Sequence, residues 1–172
     1  MKPVYLLTGR PGTGKTSLIK QAIAELKGKA GGFYTEEIRS QGVRQGFRLV
    51  TLDGQTAVLA HINSHGSHRV SKYGVDIDTL DEVGVSALEQ AARDCDLVVI
   101  DEIGKMELFS AKFREAVLRL LQSEKKLLGT IMLSPNPYAD DIKRQPQVNL
   151  VTVTKANHQP VLEELRDWLN AT

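Results

Sequence analysis

The stretch that decides the fold is Gly9-Arg10-Pro11-Gly12-Thr13-Gly14-Lys15-Thr16. It fits the pattern G-x-x-x-x-G-K-[ST] at every fixed position. Residues 4–8 before it are mostly apolar and β-prone, and apolar residues recur at helical spacing over residues 18–26 after it. A strand, a glycine-rich loop and a helix in this order are the context in which the pattern forms a phosphate-binding loop (P-loop).

The residue types in this loop suit phosphate binding for physical reasons. Backbone N–H groups at a helix N-terminus have no partner inside the helix, so they bind phosphate oxygens with help from the helix dipole. Lys15 is placed to reach the β- and γ-phosphates, and the Thr16 hydroxyl to bind Mg²⁺. We therefore predict that all eight residues bind nucleotide: Gly9, Arg10, Pro11, Gly12, Thr13, Gly14, Lys15 and Thr16.

Length and composition indicate a single globular domain spanning residues 1–172. The formal net charge of +1 gives no reason to expect a nucleic-acid or membrane partner. No apolar run approaches the length of a membrane span, so we expect a soluble cytoplasmic protein. The single cysteine, Cys95, has no partner for an internal disulfide, which fits a reducing compartment.

The pattern of apolar residues predicts an α/β fold. Three short strands with two tight turns predict an antiparallel β-meander inserted over about residues 32–60, followed by a polar loop at about 61–77. Helices are expected near 79–94, 110–123 and at the end of the chain, and strands near 97–100, 127–133 and 148–153, with a short linker at 134–147. This alternation predicts a three-layer α/β/α sandwich of the P-loop NTPase type with a mainly parallel sheet.

Two acids, Asp101 and Glu102, end the most apolar strand. In a parallel sheet, ligands bind at the carboxyl ends of the strands, which is also where the P-loop begins. We predict that Asp101 holds Mg²⁺ beside Thr16. We predict that Glu102 orients and deprotonates the attacking water, which makes Lys15 and Glu102 the candidate catalytic residues.

Three further motifs stand in line with the P-loop: Gly32-Phe33-Tyr34-Thr35-Glu36-Glu37-Ile38-Arg39, Tyr73-Gly74-Val75-Asp76 and Asp101-Glu102-Ile103-Gly104-Lys105-Met106-Glu107-Leu108. With these four motifs in this order, nearly the whole chain resembles the THEP1 family of nucleoside-triphosphatases. The resemblance implies a RecA-like or AAA-related core and slow Mg²⁺-dependent hydrolysis of several nucleoside triphosphates with little base selectivity. It also implies a second nucleotide-binding segment formed by Leu97, Val98, Val99, Ile100, Asp101, Glu102, Ile103 and Gly104.

The chain departs from the family pattern at two places. Family members commonly have proline where Lys105 stands, and many have a basic, histidine-containing stretch where this chain has residues 132–137. The family pattern therefore identifies no positively charged group in this chain, beyond Lys15 and Mg²⁺, that would stabilise the transition state. The candidate arginines are Arg10 and Arg39, ahead of Arg69 and Arg144, and a partner protein that supplies an arginine is an alternative.

Two other functions remain open at this stage. A small-molecule or nucleotide kinase would need an acceptor pocket and usually an arginine-rich lid, and the predicted loop at 61–77 contains one arginine, Arg69. A non-hydrolysing nucleotide-dependent switch or adaptor would change shape with the bound nucleotide. The segment Thr154-Lys155-Ala156-Asn157 lies where guanine-specific P-loop proteins have their base-reading motif, but it lacks the required aspartate, so we expect no strong selectivity for GTP.

Overall fold

The computed structural model describes residues 1–171. In chain order, its strands are β1 Val4–Thr8, β2 Ala30–Ser40, β3 Val43–Thr51, β4 Thr56–His61, β5 Arg69–Val70, β6 Tyr73–Val75, β7 Leu97–Ile103, β8 Lys126–Ile131 and β9 Val148–Thr152. The nine strands described form one sheet in the order β5-β6-β4-β3-β2-β7-β8-β1-β9.

The helices are α1 Lys15–Ala24, α2 Ile77–Thr79, α3 Ser86–Asp94, α4 Ala111–Gln122, α5 Pro137–Lys143 and α6 His158–Asn170. Four of them, α1, α3, α4 and α6, follow the alternation that the sequence predicts, and two short helices, α2 and α5, are additional. A π-helical turn, Leu80–Val85, joins α2 to α3, and a 3₁₀ turn, Glu107–Phe109, precedes α4. No helix in this part of the chain is long and apolar enough to cross a membrane.

The sheet has a parallel half and an antiparallel half. Strands β2, β7, β8, β1 and β9 pair in parallel. Strand β2 is long enough to pair with β7 through its first half and with β3 along most of its length, and β4, β6 and β5 continue the antiparallel half. The expected parallel sheet is thus the half that carries the P-loop, and the sheet as a whole is mixed.

Three local features differ from the sequence prediction. The polar segment at 61–77 contains the hairpin of β5 and β6, which joins the edge of the sheet through backbone hydrogen bonds. Its sequence shows no alternation of apolar and polar residues that would predict these strands. The helix expected from residue 79 starts at Ile77 and passes through the π-helical turn. The expected linker at 134–147 contains α5, which the Asn136 side chain caps by accepting from Tyr138 N and Ala139 N.

Apolar side chains fill both spaces between the sheet and its helices. On one face, Leu7 and Val99 pack with α1 and α6, and on the other face Leu6 and Ile100 pack with α3 and α4. Strand β7 is therefore buried on both sides, as its unbroken apolar run predicts. Because β1, β8 and β7 are neighbouring parallel strands, the P-loop after β1 and Asp101 near the end of β7 lie at the same edge of the sheet.

Candidate active site

The P-loop begins where β1 ends and closes on the N-terminus of α1. Gly14 is the N-cap residue and has φ of 85°, a left-handed conformation that a side chain with a Cβ rarely adopts. No acidic side chain occupies the first turn of α1, so the helix dipole leaves positive potential at the loop. The Lys15 ammonium lies over the loop and donates to the carbonyls of Gly9 and Arg10, each at 2.9 Å.

The centre of the site is a contact between the P-loop and β7. Thr16 donates its hydroxyl to Oδ2 of Asp101 at 2.6 Å. The other carboxylate oxygen, Oδ1, accepts from the Thr130 hydroxyl on β8 at 2.6 Å. Asp101 is only 5% exposed, so these two donors compensate for much of the hydration that the carboxylate loses on burial.

Thr16 and Asp101 suit a magnesium ion by their chemistry. A hydroxyl and a carboxylate meet at one point next to the phosphate-binding loop, and both supply the hard oxygen ligands that Mg²⁺ prefers. Magnesium in nucleotide sites is commonly bound through one or two protein oxygens together with phosphate oxygens. Thr16 and Asp101 therefore fit the predicted ion. Residues 1–171 contain no cluster of three or more His, Cys, Asp or Glu side chains that could hold a metal ion.

Glu102 follows Asp101 on β7 and is partly buried. Burial raises the pKa of the Glu102 carboxyl, the charge of Asp101 adds to this, and Lys15 acts in the opposite direction. A carboxylate with a raised pKa is a stronger proton acceptor than an ordinary surface glutamate. Its environment therefore suits the general base that the sequence predicts at this position.

A second glutamate lies close to Glu102. Glu107, in the 3₁₀ turn after β7, is 4% exposed. Burial raises its pKa to about 8, and the nearby charge of Glu102 contributes. A Cβ added to Gly104 would stand 2.7 Å from Oε1 of Glu102 and 2.9 Å from Oε1 of Glu107. The two carboxyl groups thus enclose Gly104.

The remaining predicted residues divide between the core and the loop surface. The side chains of the β7 residues other than the acids are fully buried in the two core layers beside the sheet: Leu97, Val98, Val99, Ile100 and Ile103. Arg10, Pro11 and Gly12 are exposed at the tip of the loop. The P-loop, Asp101 and Glu102 are therefore the predicted residues that the fold brings together.

The two leading arginine candidates have different surroundings. Arg10 is exposed on the P-loop itself, and within residues 1–171 its guanidinium makes no ion pair or hydrogen bond. Arg39 donates to Oε2 of Glu37 at 2.7 Å and to the Gly42 carbonyl at 2.9 Å. Arg39 lies five residues beyond Tyr34, the β2 residue that pairs with Asp101. Five residues of an extended strand span about 16 Å. Arg10 therefore remains the nearer candidate.

The turn after β9 packs against the P-loop. Asn157 accepts from Thr154 N and donates to the Thr152 carbonyl, both at 2.8 Å, so its amide holds the turn together. A ring nitrogen of His158 contacts the Thr13 carbonyl. Asn157 uses its side-chain carbonyl oxygen and one of its two N–H donors inside the turn, so its amide is oriented by the turn itself.

Sequence reasoning gave no role to Thr130 or to Glu107, although Glu107 stands in the quoted motif at residues 101–108. The signal for Thr130 was a polar residue inside the buried strand β8, and the signal for Glu107 was an acid flanked by Met106 and Leu108. Both signals are weak along the chain, because a threonine in a strand and a glutamate in a turn are common. Their importance appears only when the residues that they approach are known.

Comparison with known proteins shows the family and the fold of this chain. The model of a family described as NTPase matches residues 4–166. The nucleoside-triphosphatase THEP1 of Thermotoga sp. strain RQ2 is 46% identical over 160 residues, which cover 93% of this chain and 91% of that protein. The crystal structure of THEP1 from Aquifex aeolicus superimposes with a TM-score of 0.89 at 34% identity and covers 98% of this chain and 99% of that one.

A human relative has the same fold. The solution structure of a human cancer-related nucleoside triphosphatase has a TM-score of 0.79 at 35% identity, with 99% of this chain and 98% of that one covered. These similarities span almost the full length of every chain compared, and they confirm the family resemblance and the fold class that the motifs predict. This chain belongs to the NTPase family.

Proposed function

We propose that the site at the carboxyl edge of the sheet hydrolyses nucleoside triphosphates in a Mg²⁺-dependent reaction, with Glu102 as the general base. Because the chain belongs to the NTPase family, its activity is the hydrolysis of nucleoside triphosphates. The observation that supports this site is the 2.6 Å contact between Thr16 and Asp101. It brings the phosphate-binding loop and the acid pair to one place, although 85 positions separate the two residues in sequence.

The residues of this chain have separate tasks in that reaction. N–H groups at the start of α1 and the Lys15 ammonium bind the phosphate oxygens. Thr16 and Asp101 would hold Mg²⁺, which would neutralise the negative charge that develops on the phosphate oxygens. Thr130 keeps Asp101 in its orientation through a hydrogen bond to the oxygen that Thr16 does not contact.

The chemical step transfers the γ-phosphoryl group to water. Glu102 accepts a proton from the water while the water oxygen forms a bond to the γ-phosphorus. The bond between that phosphorus and the β,γ-bridging oxygen breaks, and the electron pair leaves with the nucleoside diphosphate. The products are the diphosphate and inorganic phosphate, and the proton on Glu102 is released to solvent.

We propose weak selectivity for the base. The turn at residues 154–157 lacks a carboxylate, and its asparagine is engaged within the turn, so nothing there rejects adenine, cytosine or uracil. Values of kcat/KM for ATP, GTP, CTP and UTP should therefore agree within about tenfold, because no buried hydrogen bond is lost when the base changes.

Phosphate release tests the proposal. We would measure release from the four nucleotides with Mg²⁺ and with excess EDTA, using wild type, Lys15→Ala, Glu102→Gln and the surface control Glu115→Gln. Glu102→Gln should retain nucleotide binding and lose about 100-fold or more in kcat. The control, whose side chain is exposed on α4, should match wild type.

Other outcomes would contradict the proposal in recognisable ways. Wild-type turnover in Glu102→Gln would exclude this residue as the base. Phosphate transfer that requires an added acceptor metabolite would identify a kinase. Tight binding of nucleotide without any release would identify a nucleotide-dependent switch.

A further inference from the structure

The segment after β9 contacts the P-loop at both of its ends. At the start of the loop, the Val153 N–H donates to the Thr8 carbonyl at 2.8 Å, and a Cβ on Gly9 would stand 2.5 Å from the Val153 carbonyl oxygen. At the end of the loop, Nε2 of His158 contacts the Thr13 carbonyl. The loop is thus supported from the side as well as by β1 and α1, through residues as far as 145 positions apart in sequence.

Rigid elements hold the His158 ring against the loop. His158 is the first residue of α6, whose buried side chains pack with those of α1 in one core layer. The Asn157 side chain fixes the turn just before it through two hydrogen bonds. A Cβ on Gly14 would stand 2.7 Å from Nε2 of His158, so the ring fills the space that a side chain at position 14 would need. A side chain held in this way can orient a neighbouring group.

The contact determines which way one peptide group of the loop points. A carbonyl oxygen only accepts hydrogen bonds, so Nε2 of His158 carries the proton and donates to the Thr13 carbonyl. The peptide bond between Thr13 and Gly14 is trans. In a planar trans peptide, the carbonyl and the following N–H point in opposite directions. The Gly14 N–H consequently points away from the His158 ring.

We propose that His158 is a positioning residue of the P-loop: by binding the Thr13 carbonyl on the outside of the loop, it directs the Gly14 N–H to the inside, where the phosphates of the nucleotide bind. Gly14 is the N-cap residue of α1, so its N–H adds to those that the helix start offers to an anion. A donor that is already oriented needs no rearrangement when a charged phosphate oxygen binds. The inference rests on the proposed role of the loop as the phosphate site.

An aromatic ring beside a nucleotide site has one other use, which is to stack on the base. The contact runs from a ring nitrogen to the backbone of the loop, as orienting a peptide requires and stacking does not. Two substitutions separate these roles. His158→Phe keeps a ring for stacking and removes the donor, whereas His158→Gln removes the ring and retains an amide donor that reaches the position of Nε2.

Competition binding measures the effect on phosphate alone. Inorganic pyrophosphate has no base, so its displacement of a fluorescent nucleoside diphosphate reports on the loop. In His158→Phe, the dissociation constants of pyrophosphate and of the diphosphate should both rise about tenfold, the loss expected for one hydrogen bond to a charged group. In His158→Gln, both should stay within about threefold of wild type. His158→Asn, whose amide is one bond too short to reach Thr13, should behave like His158→Phe.

Turnover gives a readout that loosened packing would not produce. The contact with phosphate is made in the bound nucleotide and in the transition state alike, so in His158→Phe the KM for ATP should rise about tenfold while kcat stays within about threefold. His65→Phe, the same exchange at an exposed histidine, should match wild type in every measurement. Circular dichroism and urea unfolding establish that each variant is folded. The contrast between His158→Gln and His158→Asn tests the inference even if His158→Phe does not fold.

The outcomes distinguish this inference from the proposed function on which it rests. If Lys15→Ala loses pyrophosphate binding while His158→Phe matches wild type, the phosphate site stands and the positioning role is wrong. If the His158 variants bind the diphosphate weakly but pyrophosphate normally, the ring acts on the nucleoside, and the positioning role is again wrong. If Lys15→Ala binds pyrophosphate as tightly as wild type, the loop is not the phosphate site, and the role of His158 fails with it.

Discussion

Thr130 donates its hydroxyl to Oδ1 of Asp101 at 2.6 Å and thereby holds the carboxylate oxygen that Thr16 does not contact. Both residues are buried, and 29 positions separate them in sequence. The contact exists because β8 lies between the P-loop strand β1 and the acid-bearing strand β7. Asp101 is consequently fixed from two sides before any ion binds.

The first prediction concerns this hydrogen bond. Thr130→Val keeps the shape of the side chain but leaves Oδ1 of the buried Asp101 without its donor, so the free energy of unfolding should fall by about 1–3 kcal/mol. The Mg²⁺ concentration for half-maximal activity should rise about tenfold, because the ligand is less well oriented. Urea unfolding and Mg²⁺ titration measure the two effects. Thr152→Val, the same exchange at an exposed position, should change neither quantity.

The second prediction concerns the space beside Gly104. Gly104→Ala places a methyl group against both glutamate carboxyls, so Glu102 must move from its position. We expect kcat to fall at least about tenfold, since a shift of the base by about 1 Å misaligns the water. Nucleotide affinity should change little, because the P-loop is untouched. A variant with wild-type kcat would show that the position of Glu102 tolerates the extra methyl group.

The third prediction concerns stability against pH. The pKa of Glu107 is about 8 in the folded protein and near 4.5 in the unfolded chain. Between these values, the folded state holds a proton that the unfolded state has lost, so this group makes stability decline as pH rises. The limiting slope is about 1.4 kcal/mol per pH unit, and the effect is absent below pH 4.5.

Urea unfolding at a series of pH values isolates this contribution. The difference in unfolding free energy between wild type and Glu107→Gln should change with pH between 5 and 8, in favour of the variant at the higher pH. Glu115→Gln should stay parallel to wild type, because its carboxylate is exposed. A constant difference for Glu107→Gln would mean that Glu107 is ionised throughout this range.

The fourth prediction separates stability from catalysis. The Lys126 ammonium donates to the carbonyls of Trp168, Leu169 and Ala171 at 2.7, 3.3 and 2.6 Å, and so binds the C-terminus of α6. Lys126→Met should lower the free energy of unfolding by about 1–2 kcal/mol, because three carbonyls lose a charged donor at the negative end of the helix dipole.

This site lies at the opposite end of β8 from Thr130, so kcat and KM should not change in Lys126→Met. Thermal or urea unfolding and phosphate release test the two halves of the prediction. Lys125→Met is the control, since the ammonium of Lys125 makes no hydrogen bond within residues 1–171 and its loss should cost little. Equal stability of the two variants would contradict the capping role of Lys126.

Much of the fold was predictable because its signals are local. The apolar run of β7 and the helical spacing after the P-loop need only neighbouring residues to be recognised. The hairpin of β5 and β6 and the short helix α5 were not predicted, because each contains too few apolar residues to show a period. Backbone pairing with β4 and the Asn136 cap stabilise them instead.

The sequence by itself determined the phosphate-binding loop and the acid pair, Asp101 and Glu102. Their chemistry depends on residues adjacent in the chain: glycines that permit the loop backbone, a lysine and a threonine at the helix start, and acids at a strand end. Only the tertiary structure decided which side chains support that pair. Thr130 reaches Asp101, and Glu107 approaches Glu102, through strand order and burial, and both are relations through space that a linear pattern does not contain.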